Sequence, residues 1–130
     1  MIWLAFPFRD ITSFREAISL KYFKPEYVGF QVVAAFPYGS RTIQSSFDCI
    51  PKYIEEVQKY GVKIAASIEE MLKEVDCVML ETNDGNLHLE QAVKVFQAGK
   101  PVFIDKPIGA NLAQAIAIFE MADKYNTPLF

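Results

Sequence analysis

Short apolar segments alternate with amphipathic segments along most of the chain. The apolar segments have the length and composition of strands, and the amphipathic ones repeat apolar residues every three or four positions, as helices do. The predicted strands cover residues 1–6, 30–36, 62–65, 75–80 and 102–104, and residues 127–130 resemble the start of one more. The predicted helices begin near residues 13, 51 and 67 and cover about 86–98 and 112–122. Residues 37–50 are predicted to form a long loop.

Residues with known capping preferences mark the ends of the predicted helices. Ser13 and Ser67 each stand three positions before a glutamate, which is the spacing of a capping box. Pro51 suits the first turn of a helix, and Gly61 suits the position after its end. Pro25 ends the first predicted helix, because the residue before a proline disfavours helical backbone. These signals divide the chain into alternating strands and helices.

This alternation predicts the α/β class, with a doubly wound parallel sheet that has helices on both faces. Right-handed connections bring the carboxyl ends of such strands to one edge of the sheet. Ligands bind at that edge. The candidate site residues are therefore those that directly follow predicted strands, namely Pro7–Asp10, Phe36–Arg41, Glu81–Gly85 and Asp105–Pro107.

The composition fits one folded domain of 130 residues, of which 52% are hydrophobic and 22% are charged. These fractions are near the globular average and argue against a disordered chain or a coiled coil. The net charge of −3 provides no basic patch for nucleic acid, and no apolar run reaches the ~18 residues of a membrane helix. Two cysteines and one histidine make neither a disulfide framework nor a zinc site. We therefore expect no metal, no nucleic-acid partner and no membrane partner, in a reducing, cytoplasmic setting.

Motifs in the second half of the chain resemble one known family. Thr82-Asn83 follows a predicted strand, His88 lies on the next helix, and Ala98-Gly99-Lys100-Pro101 precedes a strand that ends at Asp105-Lys106-Pro107. In order and spacing, these motifs resemble the NAD(P)-binding domain of the Gfo/Idh/MocA oxidoreductases, the family of glucose–fructose oxidoreductase and inositol dehydrogenase. The resemblance implies a Rossmann-like fold. It also implies hydride transfer between a nicotinamide cofactor and a small-molecule substrate, which would be a sugar, a cyclitol or a related polyol.

The resemblance further implies roles for single residues. Lys106 is the expected catalytic residue, donating a hydrogen bond to a substrate or ribose oxygen, and Asp105 stands where the family has glutamate. Thr82, Asn83 and His88 are implied to bind the cofactor together with Asp105 and Lys106. Each of these residues also has an ordinary structural alternative as a turn, packing or solvated loop residue, which the sequence leaves open.

Two parts of the sequence depart from the usual dinucleotide-binding pattern. The first turn, residues 7–12, contains no glycine, although the backbone must approach the pyrophosphate closely there. We therefore expect weak cofactor binding. No carboxylate follows the second predicted strand to hold the ribose hydroxyls. Ser40 and Arg41 stand there instead. They could bind a 2′-phosphate, so this stretch favours NADP over NAD or else makes no selection between them.

Members of the resembled family carry a second α/β domain, which completes the substrate pocket. Residues 1–130 correspond to the dinucleotide-binding domain, so we interpret the chain as a fragment or a separated half that has no dehydrogenase turnover by itself. We expect the last strand to be truncated, which leaves an unpaired sheet edge. Such an edge predicts self-association and makes a homo-oligomer a candidate state.

The sequence has two interpretations besides an oxidoreductase domain, and they come from other functional classes. A phospho-acceptor receiver domain has similar length and alternation, but residues 62–67 contain no aspartate to accept the phosphate, and Arg9-Asp10 offers one acid instead of two. A non-catalytic binding or assembly module that keeps the fold and has lost cofactor binding stays open. The glycine-free first turn favours such a module, whereas the Asp105-Lys106-Pro107 turn argues against it.

Overall fold

The structure is a computed structural model that describes residues 2–6, as backbone, and residues 32–130. The strands within these residues are β1 (Ile2–Phe6), β2 (Ala34–Pro37), β3 (Lys63–Ile64), β4 (Cys77–Leu80) and β5 (Val102–Ile104). The helices are α1 (Gln44–Asp48), α2 (Ile50–Gln58), α3 (Ile68–Met71), α4 (Gly85–Gln97) and α5 (Leu112–Lys124). The helix predicted to start near Ser13 lies outside the described residues. Across the described part of the chain, no helix has the length and apolar character needed to cross a bilayer.

The five strands form one sheet in the order β3-β2-β1-β4-β5, which is the strand order of a Rossmann fold. β2 pairs in parallel with β3, and β4 pairs in parallel with β5. Beyond β5, Leu129 forms a parallel bridge with Val102, so residues 127–130 lie where a sixth strand would be added. The predicted α/β class and Rossmann order are confirmed.

The direction of β1 differs from the all-parallel sheet that the sequence predicts. Within the sheet, β1 lies antiparallel to both of its neighbours, with Leu4 opposite Ala35 of β2 and Met79 of β4. An apolar run identifies a strand but reads the same in both directions. The direction depends on the route of the chain from Phe6 to Val32, and that route lies outside the described residues. The strands β2, β4 and β5 nevertheless run parallel to one another.

Helices cover both faces of the sheet. Ala34 packs into the larger core, whereas its neighbour Ala35 packs with Val57 and Val62 on the other side. This follows from the alternation of side chains along a strand. The larger core joins α3, α4 and α5 to β2, β4 and β5, and its largest fully buried apolar side chains are Phe96, Met71, Leu80 and Ile118.

Capping side chains fix the starts of three of the five described helices, and α1 and α2 have no side-chain cap. The side chains of Ser67, Asp84 and Asn111 accept hydrogen bonds from backbone N–H groups in the first turns of α3, α4 and α5. The prediction of an unbroken loop over residues 37–50 is wrong, because α1 lies within it. This helix has no side-chain cap and no amphipathic pattern. It is held in place by tertiary hydrogen bonds of Ser46, which a local pattern does not reveal.

Candidate functional site

Three loops meet at the carboxyl edge of β2, β4 and β5. They carry six of the seven residues that the sequence analysis singled out, and the seventh, His88, lies on α4. The six are Ser40 and Arg41 after β2, Thr82 and Asn83 after β4, and Asp105 and Lys106 after β5. The candidate segment Pro7–Asp10 lies outside the described residues.

A buried carboxylate joins the first two of these loops. Asp84 accepts a hydrogen bond from the Ser40 hydroxyl at 2.6 Å, and the Thr42 hydroxyl lies 3.4 Å from the same oxygen. The second carboxylate oxygen accepts the backbone N–H and the side-chain amide of Asn86, both at 3.0 Å. The Ser40 hydroxyl in particular, helped by Asn86, holds the pKa of Asp84 below its ordinary value. Asp84 is therefore an ionised group with all of its acceptor positions in use.

Ser46 extends this network from α1. Its hydroxyl accepts the backbone N–H of Ser40 at 3.2 Å and donates to the side-chain oxygen of Asn83 at 2.9 Å. Ser40 and Ser46 are both buried. The loop after β2 is thus tied to the turn after β4 at two places, once through Asp84 and once through Ser46.

Thr82, His88 and Gln91 form a second, fully buried group beneath the turn. The Thr82 hydroxyl donates to the amide oxygen of Gln91 at 2.9 Å, and His88 Nε2 donates to the backbone carbonyl of Thr82. Among the described residues, His88 Nδ1 and Gln91 Nε2 have no hydrogen-bond partner. The structure places His88 inside the domain with 0% exposure, where it supports the turn from below.

The third loop presents Lys106 to solvent. Its side chain is 89% exposed, and its ammonium lies 3.8 Å from a carboxylate oxygen of Asp105. Glu81 stands next to Asp105, because the parallel register of β4 and β5 continues by one residue beyond Leu80 and Ile104. Burial raises the pKa of Glu81, and the charge of Asp105 raises it further. One exposed cation and two neighbouring carboxyl groups therefore lie just beyond the ends of β4 and β5.

A close backbone contact holds this third loop against the start of α4. A Cβ atom on Gly85 would lie 2.8 Å from the backbone carbon of Gly109 and 2.9 Å from the backbone nitrogen of Ala110. Glycine is therefore required at this position for the two segments to touch. The contact fixes the turn after β4 relative to the loop that carries Lys106.

A cleft of about 250 Å³ opens beside the turn, between α3 and α4. Phe36 and Tyr38 from the end of β2 line it together with Ser67, Leu87 and Gln91. Gln91 belongs to this lining, but its unpartnered amide nitrogen is buried beneath the surface of the cleft, and Glu69, Glu90 and Lys94 add charged groups to the walls. The cleft therefore offers aromatic and aliphatic walls with a buried hydrogen-bond donor, the combination that small-molecule sites use.

Sequence reasoning placed Asp84 in the candidate segment Glu81–Gly85 without assigning it a role, and it did not find Gln91. Asp84 belongs to an Asn-Asp-Gly sequence that suits ordinary turns, and Gln91 sits between apolar positions of an amphipathic helix. The available signal for Gln91 was its place on the inward face, three positions after His88, where a polar side chain needs a partner. Both residues matter through contacts with segments distant in the chain.

Comparison with known proteins identifies the family. Residues 24–130 match the family described as "Oxidoreductase family, NAD-binding Rossmann fold", GFO_IDH_MocA. The chain belongs to this family. The resemblance inferred from the motifs after residue 75 is confirmed, and residues 24–130 match the NAD-binding Rossmann domain of the Gfo/Idh/MocA oxidoreductases.

Three relatives illustrate how far the similarity of this Gfo/Idh/MocA domain extends. An uncharacterized oxidoreductase of Streptococcus pneumoniae is 45% identical over 53 residues, which are 39% of this chain and 14% of that protein. An oxidoreductase described as NADPH-dependent, from Desulfitobacterium hafniense, has a TM-score of 0.59 at 19% identity, over 91% of this chain and 30% of its own. WlbA dehydrogenase from Chromobacterium violaceum, solved with NADH and UDP-GlcNAcA, has a TM-score of 0.51 at 20% identity, over 75% of this chain and 33% of its own. The chain thus spans a third or less of these relatives, and the two structures establish the shared fold.

Proposed function

We propose that this Gfo/Idh/MocA domain holds a nicotinamide dinucleotide along the carboxyl edge of its sheet. The adenine end would lie in the cleft beside Tyr38 and Gln91, and the nicotinamide end near Asp105 and Lys106. The domain would be the cofactor half of an oxidoreductase that acts on a sugar, a cyclitol or a related polyol. When bound, the cofactor supplies hydride exchange with a carbinol carbon of the substrate.

The buried amide of Gln91 is the observation that carries this proposal. A buried donor without a partner costs about 1–3 kcal/mol. Gln91 lines the cleft, so a ligand that accepts a hydrogen bond from Nε2, once a shift of the side chain exposes that atom, would recover much of that cost. Adenine fits the cleft, since its ring nitrogens accept hydrogen bonds and its flat faces pack against apolar and aromatic side chains such as Tyr38 and Leu87.

Thr82, Asn83 and His88 are proposed to position the turn that the cofactor crosses. The Thr82 hydroxyl holds the oxygen of the Gln91 amide, so the amide nitrogen is directed away from Thr82. His88 holds the Thr82 carbonyl, and Asn83 is held by Ser46. These contacts keep the edge of the cleft in one arrangement before a ligand arrives, which lowers the entropy lost on binding.

Lys106 is the proposed catalytic residue. Its exposed ammonium stands at the edge where ligands of this fold bind, and Asp105 beside it restrains the side chain by charge. A cation there would donate a hydrogen bond to a substrate hydroxyl oxygen and stabilise negative charge that develops on it. The sugar or polyol class of substrate is a proposal from the family, supported by the nucleotide-sugar named with WlbA dehydrogenase.

The cofactor is NAD or NADP. The sequence favours NADP through Ser40 and Arg41, and the structure changes which of these two residues could bind the 2′-phosphate. Ser40 is 2% exposed and its hydroxyl donates to Asp84. Arg41 is exposed. Of the two residues expected to bind a 2′-phosphate, Arg41 is therefore the one whose side chain is accessible to it.

Binding measurements on paired glutamine variants test the proposed site. NADH and NADPH are titrated into the purified chain by fluorescence, with Gln91→Leu as the test variant and Gln97→Leu, an exposed position of the same helix, as its control. We expect Gln91→Leu to weaken the binding of the more tightly bound cofactor by about tenfold, which is the value of one buried hydrogen bond. Gln97→Leu should leave that affinity unchanged. Absence of binding by the unaltered chain, or equal binding by all three proteins, would contradict the proposal.

An apolar stripe on α5 favours the second candidate, an assembly module. Leu112, Ile116 and Phe119 lie on one side of the helix and are 75%, 48% and 53% exposed. Exposed apolar side chains grouped in this way are typical of an interaction surface. If the domain binds neither cofactor and self-associates through this stripe, the assembly function is preferred.

A further inference from the structure

We infer that Asp84 is a specificity-determining residue that makes the domain select NAD against NADP. The inference rests on the proposed cofactor site and goes beyond it, because the sequence favours the opposite choice. Two residues suggest a 2′-phosphate site in the sequence, Ser40 and Arg41, and the first of them donates its hydroxyl to a carboxylate from the turn after β4.

The hydrogen-bond donors of this corner are already committed to Asp84. The Ser40 hydroxyl donates to Asp84 Oδ2, and the Thr42 hydroxyl lies 2.8 Å from Ser40 Oγ and 3.4 Å from the same carboxylate oxygen. The backbone N–H of Asn86, in the first turn of α4, donates to Asp84 Oδ1. A helix start and two hydroxyls would otherwise suit a phosphate, but here the Asn86 N–H and the Ser40 hydroxyl donate to a carboxylate of this chain, and the Thr42 hydroxyl lies within hydrogen-bond distance of Ser40 Oγ.

The charge of Asp84 acts in the same direction. The carboxylate is 9% exposed, and any phosphate bonded to Ser40 would lie within a few ångströms of it. Repulsion involving a buried charge is screened by solvent less than the attraction of an exposed one. Arg41 is exposed, so its attraction for a 2′-phosphate is the weaker of the two effects. A ribose with free hydroxyls meets no such repulsion.

The experiment compares ligands that differ in the 2′-phosphate alone. Adenosine 5′-monophosphate and adenosine 2′,5′-bisphosphate are titrated into the unaltered chain by calorimetry, and NADH and NADPH are titrated by fluorescence. We expect each ligand without the 2′-phosphate to bind at least about tenfold more tightly. Asp84→Asn should reduce the affinity ratio within each ligand pair by about tenfold, because it strengthens binding of the ligands with a 2′-phosphate. Asp123→Asn, at an exposed carboxylate on α5, should leave this affinity ratio unchanged.

The outcomes separate this inference from the proposed function. Equal or tighter binding of the 2′-phosphorylated ligands by the unaltered chain would overturn the inference and leave the cofactor site standing. If Asp84→Asn changes the affinities for the ligands with and without a 2′-phosphate equally, Asp84 has a structural role only. That result would also overturn the inference. Binding of no ligand would overturn the proposed function and the inference together. If Asp84→Asn fails to fold, the comparison of ligands on the unaltered chain still decides.

Discussion

At the scale of single residues, Glu81 and Asp105 show how neighbouring strands set the chemistry of a carboxyl group. The two residues follow β4 and β5 at adjacent register positions. Partial burial disfavours the ionised form of Glu81, and the charge of Asp105 adds to this effect, so the pKa of Glu81 lies above its ordinary value of 4.5. At this carboxyl, the folded protein therefore binds more protons than the unfolded chain just above pH 4.5.

This difference predicts that the contribution of Glu81 to stability falls as pH rises through the window between 4.5 and its raised pKa. Glu81→Gln removes the ionisation and should raise the thermal midpoint at pH 7 by about 1–3 °C, because a half-exposed carboxyl contributes well below 1 kcal/mol. Thermal unfolding followed by circular dichroism from pH 4 to pH 8 measures the effect. Glu120→Gln on α5 is the control, and an unchanged pH dependence in Glu81→Gln would refute the assignment.

Lys106 is the residue for which a catalytic role is predicted. In a longer protein that carries this domain and turns over, Lys106→Ala should lower kcat by about 10²–10³, the loss typical of a removed transition-state donor. The fold should persist, because the side chain is 89% exposed. Steady-state kinetics with Lys52→Ala as the exposed control tests this. Turnover equal to that of the unaltered protein would make the Asp105-Lys106-Pro107 motif a structural turn.

At the scale of elements, the start of α4 and the loop after β5 depend on each other through Gly85. Gly85→Ala places a methyl group 2.8 Å from the Gly109 backbone, so one of the two segments must move. We expect a loss of about 1–3 kcal/mol in unfolding free energy, together with weaker cofactor binding. Gly99→Ala is the matched control. It meets no atom within 4 Å but has a φ of 65°, so it should cost about 1–2 kcal/mol through backbone strain and leave binding unchanged.

Denaturant unfolding and cofactor titration of both glycine variants distinguish the two effects. If Gly85→Ala and Gly99→Ala weaken cofactor binding equally, binding follows general stability. The close contact between α4 and the loop would then have no special role in the site.

At the scale of the whole molecule, the stripe of Leu112, Ile116 and Phe119 predicts concentration-dependent self-association. Ile116→Lys places a charge in the stripe and should shift the protein toward a monomer, as measured by light scattering over a range of concentrations. Gln58→Lys, an exposed position on α2 on the other face of the sheet, adds the same charge as a control. A monomer at all concentrations before any substitution would contradict the prediction.

Several features of the fold could be predicted because they depend on local physics. Hydrophobic periodicity and capping residues predicted α4 and α5 to within about two residues, and the Rossmann strand order followed from alternating strands and helices. The order of strands also predicted that the turns after β2, β4 and β5 would share one edge. The residues singled out in those turns are found there.

Other features were decided by packing between distant segments. The pattern of α5 predicted a helix but not its buried face, because the helix is apolar on nearly every side. Ile118 and Ala122 are buried, whereas Leu112, Ile116 and Phe119 are exposed. The direction of β1 and the existence of α1 were likewise set by pairing and by hydrogen bonds across the fold.

The sequence by itself therefore determined the fold class, the family and the edge that carries the site, since periodicity, capping and motif spacing act within short stretches of chain. Tertiary structure alone decided what the site residues do. In the sequence, Ser40 resembles a phosphate-binding residue. In the fold, its hydroxyl donates a hydrogen bond to Asp84, which lies 44 positions away in the chain. The inward position of Gln91 on α4 indicates that it needs a partner, but only the fold shows that the partner is Thr82 and that the side chain lines a cleft. Hydrogen-bond partners and burial are properties of residues brought together by folding, and no local pattern encodes them.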